Sequence, residues 1–281
     1  MTAEIINGKE IAKNLRLELK EKISKLSSAP SLAVILVGNN PASQVYVKSK
    51  EKACIEVGIT PKTYILEEKT SENELIDLIN ELNSNNAING ILVQLPLPSH
   101  INTQKVLKTI TPSKDVDGFH PQNAGLVIQN QKEGFIPCTP KGVLHLLNTT
   151  NTPLDGLNAV VVGRSQIVGL PMALLLISKN CTVTVTHSKT KNLKDICKSA
   201  DILVVALGKP EFITKDYIKE NAIVIDVGIN RTSTGLIGDV KYDDAIFLAS
   251  HITPVPGGVG PMTIAMLLEN TYLAYLMQHN S

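Results

Sequence analysis

An α/β fold of two domains follows from three observations on this 281-residue chain. Short, continuously apolar, β-branched runs alternate with amphipathic stretches, as in a parallel sheet covered by helices. The alternation occurs twice, on either side of a polar, turn-rich connector from Asn148 to Gly156. The second series opens with a strand that runs directly into a glycine turn and then a helix. The length suits roughly two domains, each with its own core.

In the first series, Ile11, Ala12, Leu15, Leu19, Ile23 and Leu26 recur at helical spacing over residues 9–26, and Ser28-Ala29-Pro30 breaks the pattern. Leu32–Val37 is a buried strand. A helix from about Ser43 to Val57 stops at Gly58, and Lys62–Leu66 is a second strand. Ser71 and Glu74 form a capping box that opens a helix burying Leu75, Leu78, Ile79 and Leu82. Ile91 to Gln94 is a third strand. In the second series, Thr139-Pro140 starts a helix through Leu147. Ala159–Val162, Thr182–Val185, Ile202–Ala206 and Ile223–Val227 are strands, with a helix over Leu170–Ser178, a pattern that resembles a dinucleotide-binding sheet. A last helix, about Met262–Met277, is expected to return to the first domain and make it discontinuous. The expected domains are therefore 1–139 with 261–281, and 140–260.

Composition narrows the partners. Lys and Arg total 27 against 26 for Asp and Glu, so no global field attracts nucleic acid or an anionic membrane. A small-molecule ligand is the expectation. Cys54, Cys138, Cys181 and Cys197 include no C-x-x-C pair, and Met1 leads into polar sequence without a signal-peptide core, which implies reduced thiols and a cytoplasmic protein. No apolar run approaches the roughly 20 residues of a membrane span. The six histidines show no metal-ligand spacing, so no metal is expected.

The strand at 159–162 meets Gly163-Arg164-Ser165-Gln166-Ile167-Val168-Gly169. In a dinucleotide fold the first glycine allows the tight reversal, and the helix N-terminus faces phosphate. Ser165 and Val168 replace the second and third glycines of that motif, so an ordinary strand-to-helix turn is the competing reading. At the end of the next strand, where NAD-specific folds carry an acid, stands His187-Ser188-Lys189. Arg164 and Ser188 suit a 2′-phosphate, which favours NADP over NAD; a solvated turn is the alternative for Ser188 and Lys189.

Tyr46 and Lys50 share one helix face at i and i+4. They offer a phenol and an amine to one substrate, or else are a half-buried ring beside a solvated charge. Gln94 ends a buried strand before Leu95-Pro96-Leu97-Pro98, where α/β folds bind ligands. Asp115-Val116-Asp117-Gly118 adds two carboxylates suited to a ring with an amino group beside an N–H, or to a solvated turn. Pro254 to Thr263 holds three prolines and three glycines in ten residues. That composition fixes a backbone path, as a rigid cap on the following helix or as main chain pressed against a ligand.

Taken in order, Tyr46-x-x-x-Lys50, Gln94–Pro98, Asp115–Gly118, Pro137-Cys138-Thr139-Pro140, Gly163–Ser165 with Gly169, His187-Ser188 and Pro254–Thr263 resemble the bifunctional methylenetetrahydrofolate dehydrogenase/cyclohydrolase family along essentially the whole chain. The resemblance implies NADP-dependent oxidation of methylene-tetrahydrofolate to the methenyl form and its hydrolysis to formyl-tetrahydrofolate, both at one folate site in a cleft between the domains. It also implies a homodimer. Lys50 would be the central catalytic residue, with Tyr46 near the pterin, Gln94 tuning Lys50 and Asp117 reading the pterin edge. Gly163, Arg164, Ser165, Ser188 and Ile229 would line NADP, and Pro254, Gly257 and Gly258 would flank the folate.

Two other readings remain. A short-chain dehydrogenase also uses Tyr-x-x-x-Lys, but after its glycine turn, whereas here the pair precedes Gly163 and lies in the other domain. A non-catalytic NADP-binding sensor would have no need of Tyr46, Lys50, Gln94 and Asp117 together.

Overall fold

The structure, a computed structural model, describes residues 2–131, 133–233 and 235–279. Its first part runs β1 (Glu4–Ile5), α1 (Gly8–Ile23), β2 (Ser31–Val37), α2 (Pro41–Val57), β3 (Thr60–Leu66), α3 (Glu72–Ser84), β4 (Gly90–Val93), α4 (Thr103–Thr109) and α5 (Pro121–Ile128). There follow α6 (Cys138–Asn148), β5 (Asn158–Val162), α7 (Gly169–Ile177), β6 (Thr182–Thr186), α8 (Leu193–Lys198), β7 (Ile202–Val205) and β8 (Ile223–Asp226). The hairpin β9 (Asn230–Thr232) and β10 (Gly235–Ile237), α9 (Tyr242–Ala245), β11 (His251–Ile252) and α10 (Val259–His279) complete the chain. Two compact units result: Lys13–Cys138 with Ile264–Ser281, and Met1–Ala12 with Thr139–Thr263.

The first of these units is built on a parallel sheet in the order β3-β2-β4. Every residue of β2 is buried, because its unbroken apolar run is covered on both faces. Leu75, Ile79 and Leu82 of α3 join Ile35, Ile91, Val93 and Val106 in one core. The capping box at Ser71 and Glu74 is present in both directions. Helix α2 begins earlier than its apolar pattern, at Pro41, because the Asn40 side chain accepts from the Ala42 and Ser43 N–H groups; Gly58 ends it in the left-handed region.

The other unit holds a six-stranded sheet, β1-β11-β8-β7-β5-β6, with every pairing parallel. From β5 the chain steps outward to β6, then returns to β7 on the opposite flank. The carboxyl ends of β5 and β7 are thus a topological switch point, where open α/β sheets bind ligands. Two differences from expectation concern the chain ends. Residues 1–12 were expected with the first domain, yet Glu4–Ile5 pairs with His251–Ile252 and extends this sheet. Helix α10 starts at Val259 rather than near Met262, which places Pro261 in its first turn, where a missing N–H costs nothing.

None of the four cysteines is in a disulfide, and all four are buried. Among the described residues no helix is long and apolar enough to cross a membrane, and no group of acidic, histidine or cysteine side chains has the makings of a metal site.

Candidate active site and cofactor face

Lys50 and Gln94 are brought together. The Gln94 backbone N–H still donates to Ile35 O at 2.8 Å, so the residue is fixed at the very end of the sheet. Its side-chain Nε2 donates to Leu95 O at 2.7 Å, which turns Oε1 outward to accept from Lys50 Nζ at 2.9 Å. A single orientation of the amide satisfies both contacts. Tyr46 lies one turn earlier on α2 and is 40% exposed.

Asp117 joins them. Burial pushes its carboxyl up from the ordinary range, while the positive charge of Lys50 and a hydrogen bond from the Cys138 thiol pull it down. Sequence reasoning took Asp115-Val116-Asp117-Gly118 for a turn and missed what immobilises it. Lys114 is buried and donates to Leu82 O, Asn83 O and Asn85 O at 3.0, 2.8 and 2.9 Å, capping the carboxyl end of α3 with a cation. Asp115 is also buried, and its Oδ2 accepts from His120 N at 2.7 Å and Asn123 Nδ2 at 2.8 Å. Burial lifts this carboxyl to about 7 against those hydrogen bonds, with the Asp117 charge adding to the rise. From α10, Asn270 Nδ2 donates to Val116 O at 2.9 Å and Ile136 O at 3.1 Å. The two residues flanking Asp117 on its N-terminal side are therefore tied to separate elements. The one legible signal was Cys138 in its Pro-Cys-Thr-Pro string.

In the other unit, Gly163 reverses the chain at φ +127°, and a Cβ there would overlap Ala206 O at the end of β7. Ser165 folds back: its Oγ accepts from Val168 N at 3.2 Å and Gly169 N at 3.3 Å, capping α7. Its hydroxyl proton remains available to an acceptor. Arg164 beside it is exposed. After β6, Thr190 N donates to His187 O and Lys189 N to His187 Nδ1, at 2.9 and 3.1 Å; this turn leaves Ser188 outward. An exposed guanidinium and hydroxyl on neighbouring strand ends, with no carboxylate between them, fit a nucleotide carrying a 2′-phosphate. Ile229, just past β8, is 41% exposed.

Pro254, Gly257 and Gly258 belong to this same unit. Gly257 O accepts from Lys9 N at 2.8 Å, and a Cβ on Gly8 would overlap Gly258 O. A Cβ on Gly258 would lie 2.6 Å from Pro254 O. Gly8 thus lets the main chain of this loop pack on the first turn of α1, and Gly258 lets the loop fold back on Pro254, structural demands that composition alone did not reveal.

Two family models match the chain: the catalytic domain of tetrahydrofolate dehydrogenase/cyclohydrolase over residues 6–117, and its NAD(P)-binding domain over residues 137–279. The chain is 55% identical over 282 residues to the bifunctional protein FolD of Acetivibrio thermocellus, with 99% of each covered. Among solved structures it is similar to the bifunctional FolD enzyme of Campylobacter jejuni, with a TM-score of 0.95 at 50% identity over 97% of this chain and 98% of that one. It is similar also to the Trypanosoma brucei enzyme solved with NADP and an inhibitor, with a TM-score of 0.95 at 36% identity and all of both chains covered. On these matches the chain belongs to the tetrahydrofolate dehydrogenase/cyclohydrolase family.

Proposed function

We propose that this protein oxidises 5,10-methylenetetrahydrofolate to the methenyl form with NADP and hydrolyses the product to 10-formyltetrahydrofolate. The observation that carries this reading is the meeting of Lys50, Gln94 and Asp117 at the carboxyl end of the β3-β2-β4 sheet. NADP, when bound, supplies the hydride acceptor. Loss of hydride leaves an electrophilic carbon between two folate nitrogens, and attack by water on it requires a group to handle the proton. Lys50 has that task. Gln94 holds Lys50 Nζ by its Oε1, a contact that the free amine makes as well as the ammonium, so the amine can take the proton that water releases. Asp117 lies close enough for its carboxylate and the resulting charge to act on each other. Asp117 also accepts paired N–H donors from the pterin edge, and Tyr46 lends its exposed ring to the pterin face.

We assign the folate chemistry to the unit containing Lys13–Cys138 and the nucleotide to the unit containing Thr139–Thr263. There Gly163 gives main chain close approach, Ser165 donates its hydroxyl proton, Arg164 and Ser188 take the 2′-phosphate and Ile229 presents an apolar contact. Pro254, Gly257 and Gly258 supply a rigid wall for the folate. The family resemblance further supports a homodimer, and the buried thiols, none in a disulfide, a cytoplasmic location.

The test is a spectrophotometric assay of purified protein with methylene-tetrahydrofolate, run in parallel with NADP and NAD. Methenyl formation with NADP, followed by its decay to the formyl product, is expected. Reduction of neither nucleotide would overturn the reading. Light scattering on the same sample measures the number of chains in the assembly.

A further inference from the structure

Two buried carboxylates lie outside the chemistry just described. Asp239 is fully buried and Asp226, the last residue of β8, is 3% exposed. Taking a carboxylate out of water is expensive unless donors surround it, and here N–H groups do so. Asp239 Oδ2 accepts from Leu207 N at 2.6 Å and Gly208 N at 2.8 Å, and its Oδ1 from Lys209 N at 2.8 Å and Asn230 Nδ2 at 2.9 Å. Asp226 accepts from Gly228 N at 2.9 Å, Asp239 N at 3.1 Å and Val240 N at 2.8 Å.

These donors have one origin. At Val205 and Asp226 the strands β7 and β8 stop. Ala206 N and Val227 N make the last bonds to neighbouring strands, to Val162 O and Val205 O, and the backbone beyond them has left the ladder that satisfied it. Asp239 gathers the N–H groups of the segment after β7, and Asn230 from the segment after β8. Asp226 then holds Gly228 and the amide of Asp239 itself. Ile229 is bracketed, since both of its neighbours are tied to the pair while its own side chain points outward. Both segments leave the carboxyl edge of the sheet, and Ala206, which begins the first, is the residue whose carbonyl faces Gly163.

We propose that Asp239, seated on Asp226, is a positioning residue for the dinucleotide, fixing Leu207–Lys209 and Ile229–Asn230 as the bed for the end of the cofactor away from the 2′-phosphate. Strand order gives the direction: Arg164 and Ser188 lie at β5 and β6, whereas these segments follow β7 and β8 on the other flank. The proposal rests on the reading of this unit as the nucleotide site.

Asp239→Asn keeps the shape and replaces one acceptor oxygen by an amide NH2, a donor that meets N–H donors. Fluorescence titration should show NADPH affinity falling about tenfold or more, and NADH affinity by a similar factor, because the lost contacts do not involve the 2′-phosphate. Amide exchange of peptides spanning 206–210 should accelerate in the nucleotide-free protein. The cyclohydrolase rate, which uses no nucleotide, reports that the chain has folded. Asn230→Ala should shift NADPH affinity in the same direction by a few-fold, and it carries the test if Asp239→Asn does not fold. A folded variant that binds NADPH like the parent, or one that loses NADPH but not NADH, would overturn the proposal. Failure of the parent to bind either nucleotide would instead remove the reading of the site, and the proposal with it.

Discussion

The two proposed sites, one in each unit, solve the problem of precision differently. In the unit of Lys50, the proposed working groups are side chains held by regular elements: Lys50 on α2, Gln94 at the tip of β4, and Asp117 in a turn locked by Lys114, Asp115 and Asn270. In the nucleotide unit the proposed working surface is largely backbone leaving strand ends, and the side chains of exposed Ser165 and of buried Asp226 and Asp239 hold that backbone in place. Proton handling needs particular functional groups at particular points, whereas a dinucleotide needs a shaped edge with donors. The same α/β architecture serves both because each site lies at the carboxyl ends of parallel strands.

Substitutions should separate these two strategies. Lys50→Ala removes the proton-handling group, and hydrolysis of methenyl-tetrahydrofolate should fall by at least about 10² to 10⁴ while nucleotide affinity is kept. Near-normal hydrolysis would show that the constellation is structural only. Arg164→Ala should weaken NADP by roughly 1.5 to 3 kcal/mol, the scale of a charged hydrogen bond, and leave NAD little changed; equal losses in parallel titrations would refute selective contact with the 2′-phosphate. Lys114→Met takes the cation from the carboxyl end of α3 and should cost about 1 to 2 kcal/mol in denaturant unfolding. It should also raise KM for folate more than for NADP, because the slackened turn carries Asp117.

A further test concerns pH dependence. Burial lifts Asp115 and Asp226 to about 7 in the folded chain, against an unfolded value of about 4. Between those limits the native state holds protons that the unfolded chain has released. Stability contributed by these groups is present below about pH 4 and declines as pH rises towards 7. Asp115→Asn should flatten the corresponding slope of Tm against pH, and an unchanged slope would show that the native carboxyl is ionised throughout.

The strands and long helices were legible because each is a local pattern: β2 is an unbroken apolar run, and α3 shows its own capping box. Two-residue β1 was not, because nothing in Glu4–Ile5 specifies a partner near position 251. The site divides along the same line. Lys50, Gln94 and Asp117 stood out through spacing and neighbouring motif strings. Lys114, Asp226 and Asp239 looked like any charged residue near a turn, since a buried ion and a solvated one are spelled alike. Asn270 looked like any polar residue of a helix, and Asp115, beside Asp117, like a ligand group rather than a buried brace. Their partners are distant in sequence, as Asn270 with Val116 illustrates. The composition of the Pro/Gly loop did not show that Gly8 and Gly258 meet there for reasons of packing.

Gly228 and Gly238 carry a consequence for anyone altering nucleotide preference by exchanging segments with a relative. A Cβ on Gly228 would overlap the Asp239 carboxylate, and one on Gly238 would overlap the carboxylate of Asp226. Each glycine thus leaves room for the aspartate next to the other, in a crossed arrangement. Exchange of residues 226–230 without 238–240 would pair one parent's side chains with the other's spacing, so these two stretches should be inherited as a single block, and crossover points in a chimera belong outside both.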